Sequence, residues 1–298
     1  MTNGNKMNIS AYFKSLQENI CNQLSLADDG IPFVVDNWTR PEGGGGRSMV
    51  LNGNKIEKGG VMFSAVDGTL NEKASKGLNI PQGDFFATGV SIVLHPSNPF
   101  SPIIHMNVRH FEMDNGLWWF GGGIDLTPHY IDPKEAAFFH DGLKQVCDRH
   151  DHNFYKRFKT WADDYFFLPH RNETRGVGGI FFDRLVAAKN KTKESTFDFV
   201  KEVGESFCNL YLPLLDRTYD LPFTEKNKEW QYLRRGRYVE FNLVWDKGTK
   251  FGLETNGRTE SILVSMPPMA SWKYDFQVGK NSQEEKTLSQ LKKGIEWI

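Results

Sequence analysis

Residues 103–111, IIHMNVRHF, combine side chains able to do chemistry with a spacing that aims them together. Residues two apart in a strand share a face. His105, Asn107 and Arg109 therefore project from one side, and Ile104, Met106 and Val108 from the other. An imidazole, an amide and a permanent cation on one surface suit a solvated outer face or one wall of a cleft for an anion. Phe111, in phase with them, and the apolar flanks favour the cleft. In the preceding apolar run Ser91, Val93 and His95 are in phase. A link through SNPFSP would bring Ser91 and His95 beside the same pocket.

The run WWFGGGIDL places three glycines, Gly121, Gly122 and Gly123, two residues before Asp125. Such glycines weaken a strand unless a backbone or ligand approaches closely. They read as a bulge with a solvent-facing Asp125, or as a carboxylate facing a flat, bulky ligand. Residues 43–46 are all glycine and precede Arg47, but lack the GK[ST] ending of a phosphate loop. A mobile loop carrying Arg47 to an anion fits equally. Arg171, Arg175, Arg234, Arg235, Arg237 and Arg258 lie beside glycines or turns. Solvation is the usual state of such arginines, yet together they suit a ligand with several carboxylates, which guanidinium pairs in bidentate fashion. The histidines form no HExxH motif, and the thiols have no local activating partner. His140 shares a helical face with Ala136 and Leu143, as a buried, hydrogen-bonded core histidine would.

These groups need a scaffold. Ile9, Tyr12, Phe13, Leu16, Ile20 and Leu24 recur at helical spacing. Six Val-, Ile- and aromatic-rich runs follow between residues 33 and 126, without intervening helices, which favours antiparallel meanders. Asp132-Pro133-Lys134-Glu135 reads as a helix start, with Asp132 as cap, Pro133 in the first turn and Glu135 reaching back. Further helices are expected around residues 154–165 and 199–212. Strands are expected again at RGRYVEFNLVW and KFGLET, joined by a turn at Asp246-Lys247-Gly248, and at ESILVSM. A closing helix is expected at residues 283–297. The fold class is α+β: residues 1–298 as one domain, with a large, mainly antiparallel sheet flanked by helices on both faces. The first thirty or so residues would be an N-terminal helix, and about 276–298 a C-terminal segment with its helix.

The chain has 298 residues, with 36 basic and 37 acidic side chains and a formal net charge of -1, which speaks against a nucleic-acid wrapper. Three widely spaced cysteines suggest a reducing compartment rather than a disulfide framework. No secretory signal or membrane-spanning run is evident, so a cytoplasmic location is expected.

The blocks NWTRPEGGGGRS, GVSIVLHPSNPFSPIIHMNVRHFE, WWFGGGIDLTP, FKTWADDYFFLPHRNETRGVGGIFFD and RRGRYVEFNLVWDKGTKFGLETNGRTESILVSMPP closely resemble the oxygen-dependent coproporphyrinogen III oxidase family. The resemblance covers residues 37–275. It implies oxidative decarboxylation of two propionates of coproporphyrinogen III to vinyl groups, with O2 as co-substrate and protoporphyrinogen IX, CO2 and H2O2 as products in haem biosynthesis. It implies a homodimer, with residues 238–273 at the contact. It also implies that Ser91, Asn107, Val108, Arg109, Asn256, Gly257 and Arg258 contact substrate, that His105 donates a proton, and that Asp125 binds pyrrole N–H groups beside Arg109. A divalent metal held by His95, His105, His140 and His170 is a further implication; no organic cofactor is expected. A tetrapyrrole carrier or a metal-dependent hydrolase would share several of these residues. The carrier would form no vinyl product, and the hydrolase would consume no O2.

Overall fold

The computed structural model describes residues 5–70, 72–188, 191–254 and 257–298. Helix α1 (Lys6–Ala27) starts where the Asn5 side chain accepts a hydrogen bond from the Met7 amide, and buries Ile9, Phe13, Leu16, Ile20 and Leu24. Strands β1 (Val34–Thr39), β2 (Gly44–Leu51) and β3 (Ile56–Leu70) follow, then the short helix α2 (Glu72–Leu78). Next come β4 (Gly83–Pro96), β5 (Ile103–Met113) and β6 (Trp118–Thr127). Helices α3 (Pro133–Asp148) and α4 (Phe154–Tyr165) lead to a two-stranded ribbon of β7 (Phe167–Leu168) and β8 (Glu173–Thr174), and then to β9 (Gly178–Leu185). The chain finishes with α5 (Lys193–Asp216), α6 (Glu225–Glu240), a π-helical turn (Phe241–Trp245), α7 (Lys247–Glu254), α8 (Thr259–Leu263) and α9 (Gln283–Gln290).

Seven strands form one antiparallel sheet in the order β1-β2-β3-β4-β5-β6-β9. One face carries Val61, Ile92, Ile104, Met106, Val108 and Ile124 into the main core, with buried side chains of α1, α3, α4 and α5. The opposite face meets α6, the π turn and α8, so helices cover both sides. Two smaller clusters seal this second face: Phe166, Phe181 and Phe241 with their neighbours, and Val93 with Ile103 and Tyr238. This is the expected α+β class.

Several local expectations differ from the structure. RGRYVEFNLVW forms the end of α6 and the π turn, KFGLE lies in α7 with Thr255 outside the described residues, and ESILVSM runs from α8 into the following turn. Their β-branched and aromatic content suggested strands, yet Trp230, Leu233, Tyr238 and Phe241 lie on a buried helical stripe. Arginines interrupt that stripe and disguise its period. Arg234 pairs with Glu173 at 2.9 Å, and Arg235 with Glu57 at 2.6 Å, so both are buried at tolerable cost. Asp132 does cap α3, accepting from the Lys134 amide at 2.8 Å, but Glu135 does not reach back; it binds Arg217 instead. Gly44, Gly45 and Gly46 belong to β2 rather than to a mobile loop. Arg47 is likewise fixed, donating to Gln17 and Glu18 of α1, each at 2.8 Å. The closing helix ends at Gln290, short of residue 297.

Candidate active site on the second sheet face

Directly opposed residues of neighbouring strands share a face, so the register orders the second face into transverse rows. One row runs Val93, His105, Asp125, Gly179. The next runs Asp36, Ser48, Met62, Ser91, Asn107, Gly123, Phe181. A third runs Trp38, Gly46, Ser64, Gly89, Arg109, Gly121. Ser91, His105, Asn107, Arg109 and Asp125 therefore stand on one face, as the alternation in β5 required. Val108 does not: its side chain lies fully buried in the main core on the far side. Its phase in the strand rules out side-chain contact with a ligand on this face.

Asp125 is only 1% exposed. Its Oδ1 accepts from His105 Nδ1 at 2.7 Å and from Arg175 Nη2 at 2.7 Å. Its Oδ2 accepts from Arg175 Nη2 at 2.8 Å and Nε at 3.2 Å. Two oxygens offer about four acceptor directions, and all are used. With its acceptor directions taken by His105 and Arg175, the buried Asp125 carboxylate has none left in this structure for the pyrrole N–H groups expected there. Burial alone would raise its pKa, but the Arg175 charge and the His105 hydrogen bond outweigh that and hold it below the usual carboxylate range.

Arg175 is the residue that sequence reading left among the turn arginines. It is 3% exposed and its Nη1 donates to Asn242 Oδ1 at 2.8 Å. Its guanidinium lies over the rings of Phe166, Tyr238 and Phe241 at 4.4, 4.7 and 4.6 Å. The only hint in the chain was its company, HRNETRGVGG, where turn residues precede a strand. Nothing local links it to Asp125, fifty positions earlier.

His105 is the chemically free end of this chain of contacts, and its side chain is 21% exposed. An ionised carboxylate can only accept, so Nδ1 carries the proton of that hydrogen bond and Nε2 is the nitrogen that can exchange protons with a ligand. Further along β5, Arg109 donates to Asn107 Oδ1 at 2.9 Å and to Asp183 Oδ1 at 2.8 Å. The glycines beside it are occupied by protein neighbours. A Cβ on Gly121 would lie 2.7 Å from Arg109 Nε, one on Gly122 2.8 Å from the Phe182 ring, and one on Gly123 2.7 Å from the Ile180 carbonyl oxygen. The triplet thus admits close neighbours of its own chain; strand pairing is irregular opposite Gly121, but Asp125 is buried rather than solvent-facing.

Arg258 donates to Ser48 Oγ at 3.3 Å and to Asp36, in the same row as Ser91 and Asn107. Strands β2 and β5 are three positions apart, which separates Arg258's contact from Asn107 by roughly 14 Å at the usual strand spacing. The Gly257 amide donates to the Gly252 carbonyl at 2.8 Å. Asn256 lies outside the described residues.

The four histidines expected to share a metal do not converge. His95 donates from Nε2 to the Ser265 carbonyl at 2.8 Å. His140 has both nitrogens engaged, by Tyr155 Oη and the Val177 carbonyl, each at 2.9 Å. His170 has both engaged as well, by Glu240 at 2.8 Å and Trp245 at 3.0 Å. Among the described residues no group of three or more His, Cys, Asp or Glu side chains could hold a metal ion. The donor set does not fit one.

The model of the family described as coproporphyrinogen III oxidase matches residues 8–297. The chain is 47% identical over 301 residues to the oxygen-dependent coproporphyrinogen-III oxidase, chloroplastic, of Glycine max, covering 96% of this chain and 77% of that protein. It is 46% identical to coproporphyrinogen-III oxidase 1, chloroplastic, of Arabidopsis thaliana, with the same coverage. It is also 47% identical over 297 residues to the mitochondrial oxygen-dependent enzyme of Homo sapiens, covering 95% of this chain and 65% of that one. A match across nearly the whole chain, on the scaffold that assembles His105, Arg109 and Asp125, places this chain in the coproporphyrinogen III oxidase family.

Proposed function

We propose that this protein is an oxygen-dependent coproporphyrinogen III oxidase that converts two propionates of its substrate to vinyl groups, giving protoporphyrinogen IX in haem biosynthesis. The observation that carries the mechanism is the alignment on one sheet face of a tautomer-fixed His105 with Arg109 four residues away. Each propionate, as carboxylate, combines with one O2 and one proton to yield a vinyl group, CO2 and H2O2. Dioxygen takes up the two electrons released as the β C–H and the C–CO2 bonds break. The propionate arm is itself the electron source, and the macrocycle stays at the porphyrinogen level.

In this reading His105 supplies the proton from Nε2 to the peroxide oxygen, while Asp125 holds the ring in orientation and stabilises its charged form. Arg109 and Arg258 anchor propionates at separate points of the face. Anchoring remote carboxylates uses binding energy to place the reacting arm. Ser91 and Asn107 lie between the anchors and offer hydrogen bonds to the macrocycle; Gly257 sits beside Arg258. Asp125 acts on substrate through His105, not by direct contact. The histidines' own hydrogen bonds favour a metal-free site.

We assign the homodimer to the surface around Glu240. Leu243, Val244, Trp245, Leu253 and Trp272 are exposed there. Trp272 donates to Glu240 at 2.9 Å and Trp245 to His170 at 3.0 Å, so the two indoles flank one polar hub. An apolar patch with a polar centre suits a self-complementary contact. No helix among the described residues is long and apolar enough to cross a membrane. The cysteines are buried free thiols, as suits a reducing compartment. We place the protein in the cytoplasm, although the names of relatives place those proteins in chloroplasts and mitochondria.

The test is incubation of the protein with coproporphyrinogen III in air and under anaerobic conditions, following vinyl product and peroxide. Equal amounts of peroxide and vinyl groups, formed only in air, support the reading. Vinyl product formed equally without O2, or none in air, overturns it.

A further inference from the structure

Strand β9 carries one residue more than its partner. Phe120 pairs with Leu185 and Gly122 with Phe182, so Asp183 and Arg184 together oppose Gly121. Such a bulge bends a strand and re-aims its side chains. Arg184 takes up the irregularity with a left-handed φ of 48°, a conformation uncommon for a residue with a side chain. Asp183, two residues after Phe181, stays on the second face by alternation and meets Arg109 across β6, its Oδ1 2.8 Å from Nη2, while the extra residue returns Leu185 to the core side opposite Phe120. Gly121 makes this possible, since a Cβ there would lie 2.8 Å from that same Asp183 oxygen. Arg258 shows a second instance of the pattern, held by Asp36 at the other edge of the face.

We propose that Asp183 is a specificity-determining residue: a resident carboxylate that a substrate propionate displaces from Arg109. The inference rests on reading Arg109 as a propionate anchor. The Arg109–Asp183 pair is partly exposed, at 39% and 35% of the two side chains. Water reaches it, and it exchanges partners at little cost. An arginine already neutralised gains only the difference between two similar carboxylate pairs. One carboxylate is then held weakly, and tight binding needs several anchors engaged together. Such a site retains a tetracarboxylate and releases a dicarboxylate product.

The experiment measures binding of coproporphyrin III, the oxidised tetracarboxylate that cannot turn over, by fluorescence titration. Asp183→Asn should tighten binding about two- to fivefold, the range that an exposed ion pair supplies. It should lower KM for coproporphyrinogen III by a similar factor without raising kcat. In an Arg109→Ala background the same substitution should leave affinity unchanged. Unchanged or weaker binding by Asp183→Asn, or equal tightening without Arg109, overturns the proposal. Asp183→Ala is read by the same criteria if the Asn variant does not fold. Turnover of coproporphyrinogen III by the wild-type protein in air is measured on the same preparation, so failure of the assigned activity is seen separately.

Discussion

Arg175 donates from Nη2 to both oxygens of Asp125, at 2.7 and 2.8 Å, and the two side chains are 3% and 1% exposed. A buried charge costs several kcal/mol unless it is paired and hydrogen-bonded. This pair meets that condition, with Asn242 and His105 taking up remaining groups. His105 therefore stands on an ion pair that the rest of the fold encloses.

Breaking one side of the pair should destabilise more than replacing both. Arg175→Met or Asp125→Leu alone should each cost about 3–5 kcal/mol, because an uncompensated charge stays buried. The double substitution should cost less than either single one. Denaturant unfolding of the three variants checks this; a double variant as unstable as the sum of the singles would show that the pair is not coupled.

His105→Ala should lower kcat by about two to four orders of magnitude, the usual worth of a positioned proton donor. Asp125→Asn should act in the same direction, because the amide can donate where the carboxylate only accepted and so disfavours the working tautomer. Substrate affinity should change little in the His105 variant. Near-normal turnover in a folded His105→Ala protein would remove the residue from the chemistry.

Arg109→Ala should weaken capture of coproporphyrinogen III, with KM rising several-fold rather than by the full worth of an unopposed charge-assisted pair, because Asp183 already occupies Arg109. Arg109→Lys should restore only part of the affinity, since an ammonium lacks the guanidinium fork. Equal KM in the three proteins would refute the anchor.

Stability should fall on acidification from about pH 6.5, the usual histidine pKa. Burial, with the Arg235 charge second, pushes His95 down to about 3, and burial pushes His140 down to about 4. His129 is depressed by the same two causes as His95. Below pH 6.5 the unfolded chain takes up protons that the folded histidines refuse, so the fold loses stability progressively until those folded values are reached. Above pH 7 these groups contribute no slope. Thermal melts between pH 7.5 and 4 should show a steadily falling Tm; a flat Tm from pH 7 to 5 would contradict the neutral buried state.

Exhaustive chelation should leave turnover unchanged, because His140 and His170 have their ring nitrogens committed within the protein. Loss of activity restored by one divalent ion would require those contacts to open. Separately, the proposed dimer predicts that the wild type sediments as a dimer and that Trp245→Glu in the exposed patch shifts it toward monomer.

Much of the second face was legible as strand alternation. His105, Asn107 and Arg109 share a surface because a strand leaves them no alternative, and the same rule puts Val108 in the core. The amphipathic stripe of α1 and the Asp132 cap of α3 were equally local. The strands expected after residue 235 were helices because buried arginines broke the apolar period, and their partners Glu57 and Glu173 are far away in the chain. The glycine triplet was seen, but its reason was not: the atoms it accommodates belong to Arg109, Asp183, Phe181 and Phe182.

Hydrogen-bond geometry within one strand, and spacing along one helix, need only neighbours in the chain, so side-chain order alone specified which groups of β5 would face a ligand. Which of them are free to react is a matter of long-range pairing. Asp125 became a buried support when Arg175 closed over it, and Arg109 acquired Asp183 from a strand over seventy residues away. Charge compensation and desolvation depend on who arrives from across the fold, and only packing in three dimensions settles that.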